Sequence, residues 1–468
     1  MPHAHEAGWA HADGALRPSW LRQPEDPNQL VDHLWSTTAR KVEGRLEVGG
    51  VQLTDLVAEH GSPAYVLDEA DFRSRARAFR DAFAAYDVFY AGKAFLCTTT
   101  ARWVAEEGLC LDVCSGGELT VAERAGFDPA RIGFHGNNKT PAELRRAVEL
   151  GVGRVIVDSF VEIERLAAVV AELGATARVM VRVTAGVEAH THEYIATAHE
   201  DQKFGFSITS GDAFEAVRRV QDAPGLELLG LHSHIGSQIF DSSGFEVAAR
   251  RVLALHARVS EELGVTLPEM DLGGGFGIAY TTQDDPADPS QLATEMTKIV
   301  EHECRALGIP QPRLSIEPGR AIVGPSMCTV YEIGTVKDVE LDGGARRTYV
   351  SVDGGMSDNI RTALYDADYS CTLASRASEA PPKLSRVVGM HCEAGDIVVK
   401  DEFLPSDLAP GDLLAVPGTG AYCRSMASNY NHALRPPVVA VRDGATRVVV
   451  RRETVDDLLA TDVGAVSG

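Results

Sequence analysis

No stretch of this 468-residue chain approaches the roughly 20 consecutive apolar residues that a bilayer-crossing helix needs. Positive charge is also scarce: 44 Lys and Arg stand against 67 Asp and Glu, for a formal net charge of -23. That balance argues against nucleic acid or an anionic membrane as the natural partner, because the cations that would neutralise phosphates are missing. It leaves anionic small molecules open, since a local arginine cluster can override the global field. Paired cysteines are lacking too. The 8 Cys are scattered, and Cys110 and Cys114 form no Cys-x-x-Cys and have no partner pair, so no metal site is expected. The opening stretch from Met1 to Gly14 has no basic segment followed by an apolar core, so it does not read as a secretory signal, and a cytoplasmic protein is expected. His3, His5 and His11 fall in this stretch and read as part of a flexible tail rather than as metal ligands. There is no internal repeat and no low-complexity linker.

What the chain does have is length and apolar material for more than one core: 468 residues, 44% of them hydrophobic. From about Asp87 to Glu317, short β-rich runs alternate with helical patterns. The runs are Val88–Tyr90, Leu111–Val113, Ile132–Phe134, Val155–Val157, Val179–Val181, Leu228–Leu231, Met270–Leu272 and Leu314–Ile316, separated by stretches such as Pro141–Leu150 and Val161–Leu173. Strand and helix in alternation imply a parallel sheet, and eight such units imply a closed (β/α)8 barrel. Beyond about Gly324 the pattern changes to strands with turn signals, including an Asp443-Gly444 hairpin, and reads as an all-β domain. The expected division is a tail over 1–40, a segment 41–64 adding a strand to the β-domain, a barrel over 65–325 and a β-domain over 326–468. Tyr65–Leu67 is an extra strand outside the ring.

Chemistry in such a barrel gathers just past the C-terminal ends of the strands. Lys93 follows the first run, Asp112 and Ser115 close the second, and His135 follows the third. His234 and Ser237 follow Leu228–Leu231, Gly273–Gly275 follow Leu272, and Glu317, Gly319 and Arg320 follow Ile316. Most lysines are solvated surface charges, but one at a buried strand end has a lowered pKa and can form a Schiff base. The Gly273–Gly277 run (GGGFG) lacks dinucleotide spacing and fits better as a turn whose N–H groups approach a phosphate. Glu317 with Arg320 could be a rim ion pair, or a carboxylate facing a pyridine nitrogen beside a cation facing an anion. The β-half carries a second set in loops: Asp353-Gly354-Gly355-Met356, Asn359-Ile360-Arg361 with Tyr365, His391-Cys392-Glu393-Ala394-Gly395-Asp396, and Gly420-Ala421-Tyr422 with Ser425 to Asn431.

Taken together and in this order, over about Gly61 to Glu453, these motifs resemble the fold-type III pyridoxal-phosphate decarboxylases, and among them the diaminopimelate decarboxylase family. The resemblance implies pyridoxal 5′-phosphate as cofactor, an alanine-racemase-like barrel with a β-domain, and a homodimer with shared active sites. It implies decarboxylation of meso-2,6-diaminopimelate to L-lysine, the last step of lysine biosynthesis. By motif, Lys93 corresponds to the Schiff-base lysine, His234 to the ring-stacking histidine and Glu317 to the pyridinium partner; Asp112 lies with them at the cofactor. Ser237, Gly275, Gly319 and Arg320 correspond to the phosphate cradle, closed by Tyr422. Arg320, Arg361, Tyr365, Tyr422 and Glu393 correspond to substrate ligands, with Cys392 and Glu393 supplied by the other protomer. Cys392 or Lys93 would return the proton. The chain departs from the pattern at Gly92, where a bulkier residue is expected, and in its long start before about Lys41.

Other substrates stay open at this stage. A sister decarboxylase of ornithine, arginine or a carboxylated polyamine would share the barrel. An amino-acid racemase would too, but it needs a second acid–base group opposite Lys93, typically a tyrosine, and has no use for the Cys392-Glu393 loop.

Overall fold

The computed structural model describes residues 17–186, 203–234, 236–240, 243–340 and 346–464. His3, His5 and His11 lie outside them. The chain forms two compact units, one of Arg73–Gly277 and Pro286–Ile322, the other of Met1–Phe72, Ile278–Asp285 and Val323–Gly468.

The first unit is the expected barrel. Its strands are Tyr86–Ala91, Cys110–Val113, Ile132–Phe134, Arg154–Val157, Ala177–Thr184, Leu226–Ser233, Glu269–Asp271 and Arg313–Ile316. Each pairs in parallel with the next, and the last pairs with the first, so the ring closes at eight. A two-residue strand, Phe206–Ser207, is added outside the ring on Ala177–Thr184. The strands are runs of Val, Ile and Leu because both of their faces are covered. The helices start where short polar side chains can satisfy their free N–H groups. Ser115 caps Gly116–Ala125, so this residue serves the helix. Thr140 and Glu143 form a capping box ahead of Pro141–Leu150, and Ser159 caps Phe160–Leu173. Gly126, Gly151 and Gly174 close these helices in the left-handed conformation.

The barrel is not filled by hydrocarbon alone. Ile156, Met180 and Leu229 form an apolar cluster, but the buried guanidinium of Arg154 lies 3.7 Å over the Phe89 ring. It donates to Asp271 Oδ2 at 2.5 Å and to Ser315 Oγ at 3.0 Å. The other oxygen of Asp271 accepts from the Gly273 N–H at 2.7 Å. One interior ion pair therefore reaches from a strand start to the glycine turn.

The second unit is built on a sheet ordered Ile397–Pro405, Pro382–Val388, Arg346–Val352, Met327–Glu340, Ala64–Asp68, Val438–Arg442 and Ala445–Val450. Leu413–Val416 branches off, pairing with both Met327–Glu340 and Thr372–Leu373. Asp443 and Gly444 both have positive φ (51° and 79°), as a two-residue type I′ hairpin requires.

Three sequence expectations change here. The strand over 64–68, which the division at 65 gave to the barrel, lies in the middle of the second unit's sheet. All five of its residues are buried there, which no position outside that sheet would provide. Residues 41–63 do not add a strand to that sheet. They form a separate three-stranded sheet (Arg40–Val42, Arg45–Val48, Val51–Gln52) and the helix Leu53–His60. The expected tail is also shorter than 40 residues, because Leu34 and Trp35 sit in the core with Leu46, Leu53, Val66 and Val439.

Removing one partner of a buried ion pair leaves an uncompensated charge, which costs about 3–5 kcal/mol. Asp271→Ala should therefore destabilise the protein by that amount in urea unfolding, and the double change Arg154→Met/Asp271→Ala should recover part of the loss. A double variant no more stable than Asp271→Ala would show that the charge pair is not what holds this layer.

Candidate active site

The barrel strands deliver titratable side chains to one rim, and the geometry there is dominated by Glu317. It directly follows the strand Arg313–Ile316, and its N–H donates to Gly273 O at 3.0 Å. Its Oε1 lies 2.8 Å from His232 Nε2 and 3.3 Å from His135 Nε2. His135 Nε2 is in turn 3.1 Å from Asp112 Oδ1, and the two imidazoles meet edge to face with centroids 5.1 Å apart. Burial by itself would raise the Glu317 carboxyl, but the imidazoles of His135 and His232 outweigh it and hold it well below the usual range. Burial pushes Asp112 the other way, well above its usual value, and the neighbouring Glu317 adds to the rise. Two carboxyl groups thus share one buried site with opposite tendencies, Glu317 pulled down and Asp112 pushed up.

Lys93 follows the strand Tyr86–Ala91. The sequence led us to expect it buried, and the structure places it exposed. Its charge acts on Asp112, Cys114, Glu118 and His234. The departure at Gly92 has a steric reason: a Cβ there would stand 2.8 Å from Asp112 O, which accepts the Gly92 N–H at 2.9 Å. His234 accepts the Gly274 N–H on Nδ1 at 3.2 Å. A backbone N–H only donates, so the ring's proton belongs on Nε2. Burial, with Lys93 beside it, holds His234 well below its usual pKa and keeps the ring neutral.

The glycine turn and the Arg320 motif stand at the same rim. Gly275 has φ +107°, and a Cβ on it would fall 2.7 Å from Gly236 O. Its carbonyl accepts from Ile239 N–H at 2.8 Å, which draws the segment after His234 onto the turn. Arg320, mostly buried, donates to Ser237 Oγ at 2.8 Å. Gly319 packs against Ala91, so the Glu317–Arg320 motif lies directly on the strand that leads to Lys93.

The second unit holds the remaining candidates. Arg361 opens the short helix Arg361–Tyr365 and is buried, with its guanidinium 4.5 Å from the Tyr280 ring centroid and donating to Tyr369 Oη at 2.5 Å. No carboxylate pairs with it among the described residues, and its Nε has no hydrogen-bond partner. Tyr365 is half-buried at the other end of that helix. Cys392 and Glu393 are exposed, on a loop braced by the buried carboxylate of Asp396, which accepts from the N–H groups of Met356 at 2.6 Å and His391 at 2.7 Å. His391 joins Ser357 (2.8 Å) to Asn431 (3.1 Å). The scattered loop motifs of the β-half are therefore one hydrogen-bonded assembly. Tyr422, half-buried, holds the left-handed φ of 63°, an unusual conformation for a bulky residue.

The residues fit pyridoxal 5′-phosphate. Glu317 is an ionised acceptor for a ring nitrogen, and both oxygens of Asp112 are buried without a hydrogen-bond partner. The turn at Gly275 leaves no room for a side chain against its backbone, and Arg320 and Ser237 add polar groups beside it. The sequence reading passed over His232 and Arg154 as functional residues. Their signal was present, a titratable group within a strand otherwise built of apolar residues.

Residues 69–324 match the family model of the pyridoxal-dependent decarboxylase, pyridoxal binding domain. The chain is 56% identical over 440 residues, 93% of its length and 98% of the relative's, to a diaminopimelate decarboxylase of Mycobacterium tuberculosis. It is 43% identical over 439 residues, 93% of its length and 99% of the relative's, to one of Bacillus subtilis. A crystal structure of diaminopimelate decarboxylase from M. jannaschii in co-complex with L-lysine superposes with a TM-score of 0.86 at 29% identity, covering 92% of this chain and 98% of that one.

Gly275→Ala should weaken binding of pyridoxal 5′-phosphate to the apoprotein by about 1–3 kcal/mol, the cost of a side chain in a disfavoured backbone region. Absorbance titration measures it, and an unchanged dissociation constant would remove the turn from the cofactor site.

Proposed function

The chain belongs to the pyridoxal-dependent decarboxylases, and within them to the diaminopimelate decarboxylases, and we propose from this that it removes the carboxylate at the D-centre of meso-2,6-diaminopimelate, giving L-lysine and carbon dioxide as the last step of lysine biosynthesis. The observation that carries the substrate reading is Arg361. A guanidinium shut away from water with no carboxylate partner is costly, and an anionic group of the substrate would supply the missing charge. Diaminopimelate has a second carboxylate beside its far amine, which lysine, ornithine and arginine lack.

Bound pyridoxal 5′-phosphate supplies the sink for the electron pair left on carbon when the carboxylate departs. Lys93 is the residue proposed to carry it. Glu317 holds the ring-nitrogen proton with an ionised carboxylate, and His234 offers a neutral imidazole face whose Nδ1 is tied to the Gly274 N–H. Ser237, Gly275, Gly319, Arg320 and Tyr422 are assigned to the phosphate, with Asp112 beside the cofactor. Arg320, Arg361, Tyr365 and Tyr422 are assigned to substrate carboxylates, Glu393 to the distal ammonium, and Cys392 or Lys93 to the proton that replaces carbon dioxide.

We further propose a homodimer in which Cys392 and Glu393 complete the partner's site. Their exposure on a loop that the buried Asp396 braces is what such a contribution needs. A cytoplasmic setting fits the eight free cysteines. No helix among the described residues is long and apolar enough to cross a membrane.

Carbon dioxide release across a substrate panel tests the reaction. Comparable kcat/KM for L-lysine, L-ornithine or L-arginine would overturn the substrate. Arg361→Ala should raise KM for diaminopimelate about 10- to 100-fold, the loss of one hydrogen bond to a charged group, with Arg361→Lys between it and the unmodified enzyme. Shared sites are tested by co-expressing Lys93→Ala with Cys392→Ala chains. The heterodimer should regain part of the activity that each variant lacks, because one of its two sites keeps both groups. No recovery in a verified heterodimer would refute them.

A further inference from the structure

Among the described residues Glu317 is the one carboxylate of the barrel rim held below its usual pKa at this site, and what holds it is on neighbouring strands. His232 ends inside the barrel on the strand Leu226–Ser233, almost completely buried. Its Nδ1 has no hydrogen-bond partner, so the proton of the ring belongs on Nε2, which faces Glu317 Oε1 at 2.8 Å. His135, two strands beyond the strand of Lys93, brings its own Nε2 to 3.3 Å from the same oxygen without a hydrogen bond to it. No described residue hydrogen-bonds Oε2, and 7% of the Glu317 side chain remains exposed. The carboxylate is thus gripped by one oxygen and open at the other.

We propose that His232 is a positioning residue, supported by His135: by donating to Oε1 His232 orients Glu317 so that Oε2 faces the ring nitrogen of the cofactor, and with the His135 imidazole close against the same oxygen it keeps that nitrogen protonated. The inference rests on the reading of Glu317 as the ring-nitrogen partner. The charged and titratable groups that bear on this carboxylate among the described residues include Asp112, Cys114, His135, Arg154, Arg182, His232, His234 and Asp271. Of these, only His135 and His232 bring a side-chain nitrogen within 4 Å of it. Asp112 stands in the same pocket, and burial, with Glu317 beside it, pushes its pKa up rather than down. A carboxylate without the two imidazoles would take up a proton itself and could no longer hold one on the ring nitrogen.

The nitrogen and oxygen atoms of His135, His232 and Glu317 lie within 4.8 Å of one another, a spacing that a metal ion would also accept. The experiment separates these cases. Holoenzyme is reconstituted with cofactor labelled with nitrogen-15 in the ring, and the ring-nitrogen resonance is followed with cofactor affinity and steady-state kinetics. Glu317→Gln sets the scale and must move the resonance toward unprotonated pyridine; if it does not, the reading of Glu317 fails. Given that movement, His232→Leu should shift the resonance in the same direction. It should also lower kcat about 10- to 100-fold, the worth of one hydrogen bond to a charged group, with little change in KM. His232→Gln, which keeps an N–H in reach of Oε1, should stay close to the unmodified enzyme. His135→Leu should move the resonance the same way by less, and it carries the test if His232→Leu does not load cofactor. An unmoved resonance in a folded, loaded Leu variant, or stoichiometric metal in the unmodified holoenzyme, would overturn the proposal.

Discussion

A closed parallel barrel has to fill its own interior, and this one fills part of it with charge. Everything at the rim depends on how that charge is balanced. In a low-dielectric interior an unpaired carboxylate neutralises itself by taking up a proton. Glu317 is pulled away from that outcome because His232 and His135 reach it from two other strands, whereas burial pushes Asp112, a short distance away, towards it. Beneath them Arg154 and Asp271 neutralise each other, and Asp271 spends its second oxygen on the backbone of the glycine turn. The glycine turn, Glu317 and the interior ion pair are therefore one polar column. Its members cannot be exchanged singly for apolar residues, although the column as a whole could be.

The β-half solves a different problem with the same means. Its loops carry little regular structure, so side chains hold them. Asp396 gathers the N–H groups of Met356 and His391, and Asp358, pushed up to about 7 by burial, takes the N–H of Gly355 and the hydroxyl of Tyr331. Arg361 is positioned by tyrosines alone, through the Tyr369 hydroxyl and the Tyr280 ring. Aromatic groups fix the guanidinium without cancelling its charge, which leaves that charge available.

How much of this was legible follows from what each feature depends on. The barrel strands were readable because short apolar runs between helical patterns have one interpretation, and Glu317, His234 and Gly275 were readable because they stand at strand ends. His232 was not, since its role depends on facing inward toward a residue far along the chain. The exposure of Lys93 was missed because strand-end position says nothing about how far a side chain projects. Leu34 and Trp35 were missed as core because two apolar residues in a polar stretch carry no period. The strand Ala64–Asp68 was visible, but its neighbours were not: they lie near the other end of the sequence.

That last feature bears on how the chain is made. Ala64–Asp68 lies between Met327–Glu340 and Val438–Arg442. A ribosome delivers it before any barrel strand and supplies its two partners only after the barrel is complete. Since domains fold largely as they emerge, the barrel can close while this five-residue, mostly apolar strand still has both hydrogen-bonding edges unpaired. Such an edge is a template for pairing with other chains. The second unit is thus the late-folding part of the molecule. Termination between Ile316 and Met327 would leave a complete set of barrel strands joined to a strand with neither of its partners, and termination between Glu340 and Val438 would still leave one of its edges unpaired.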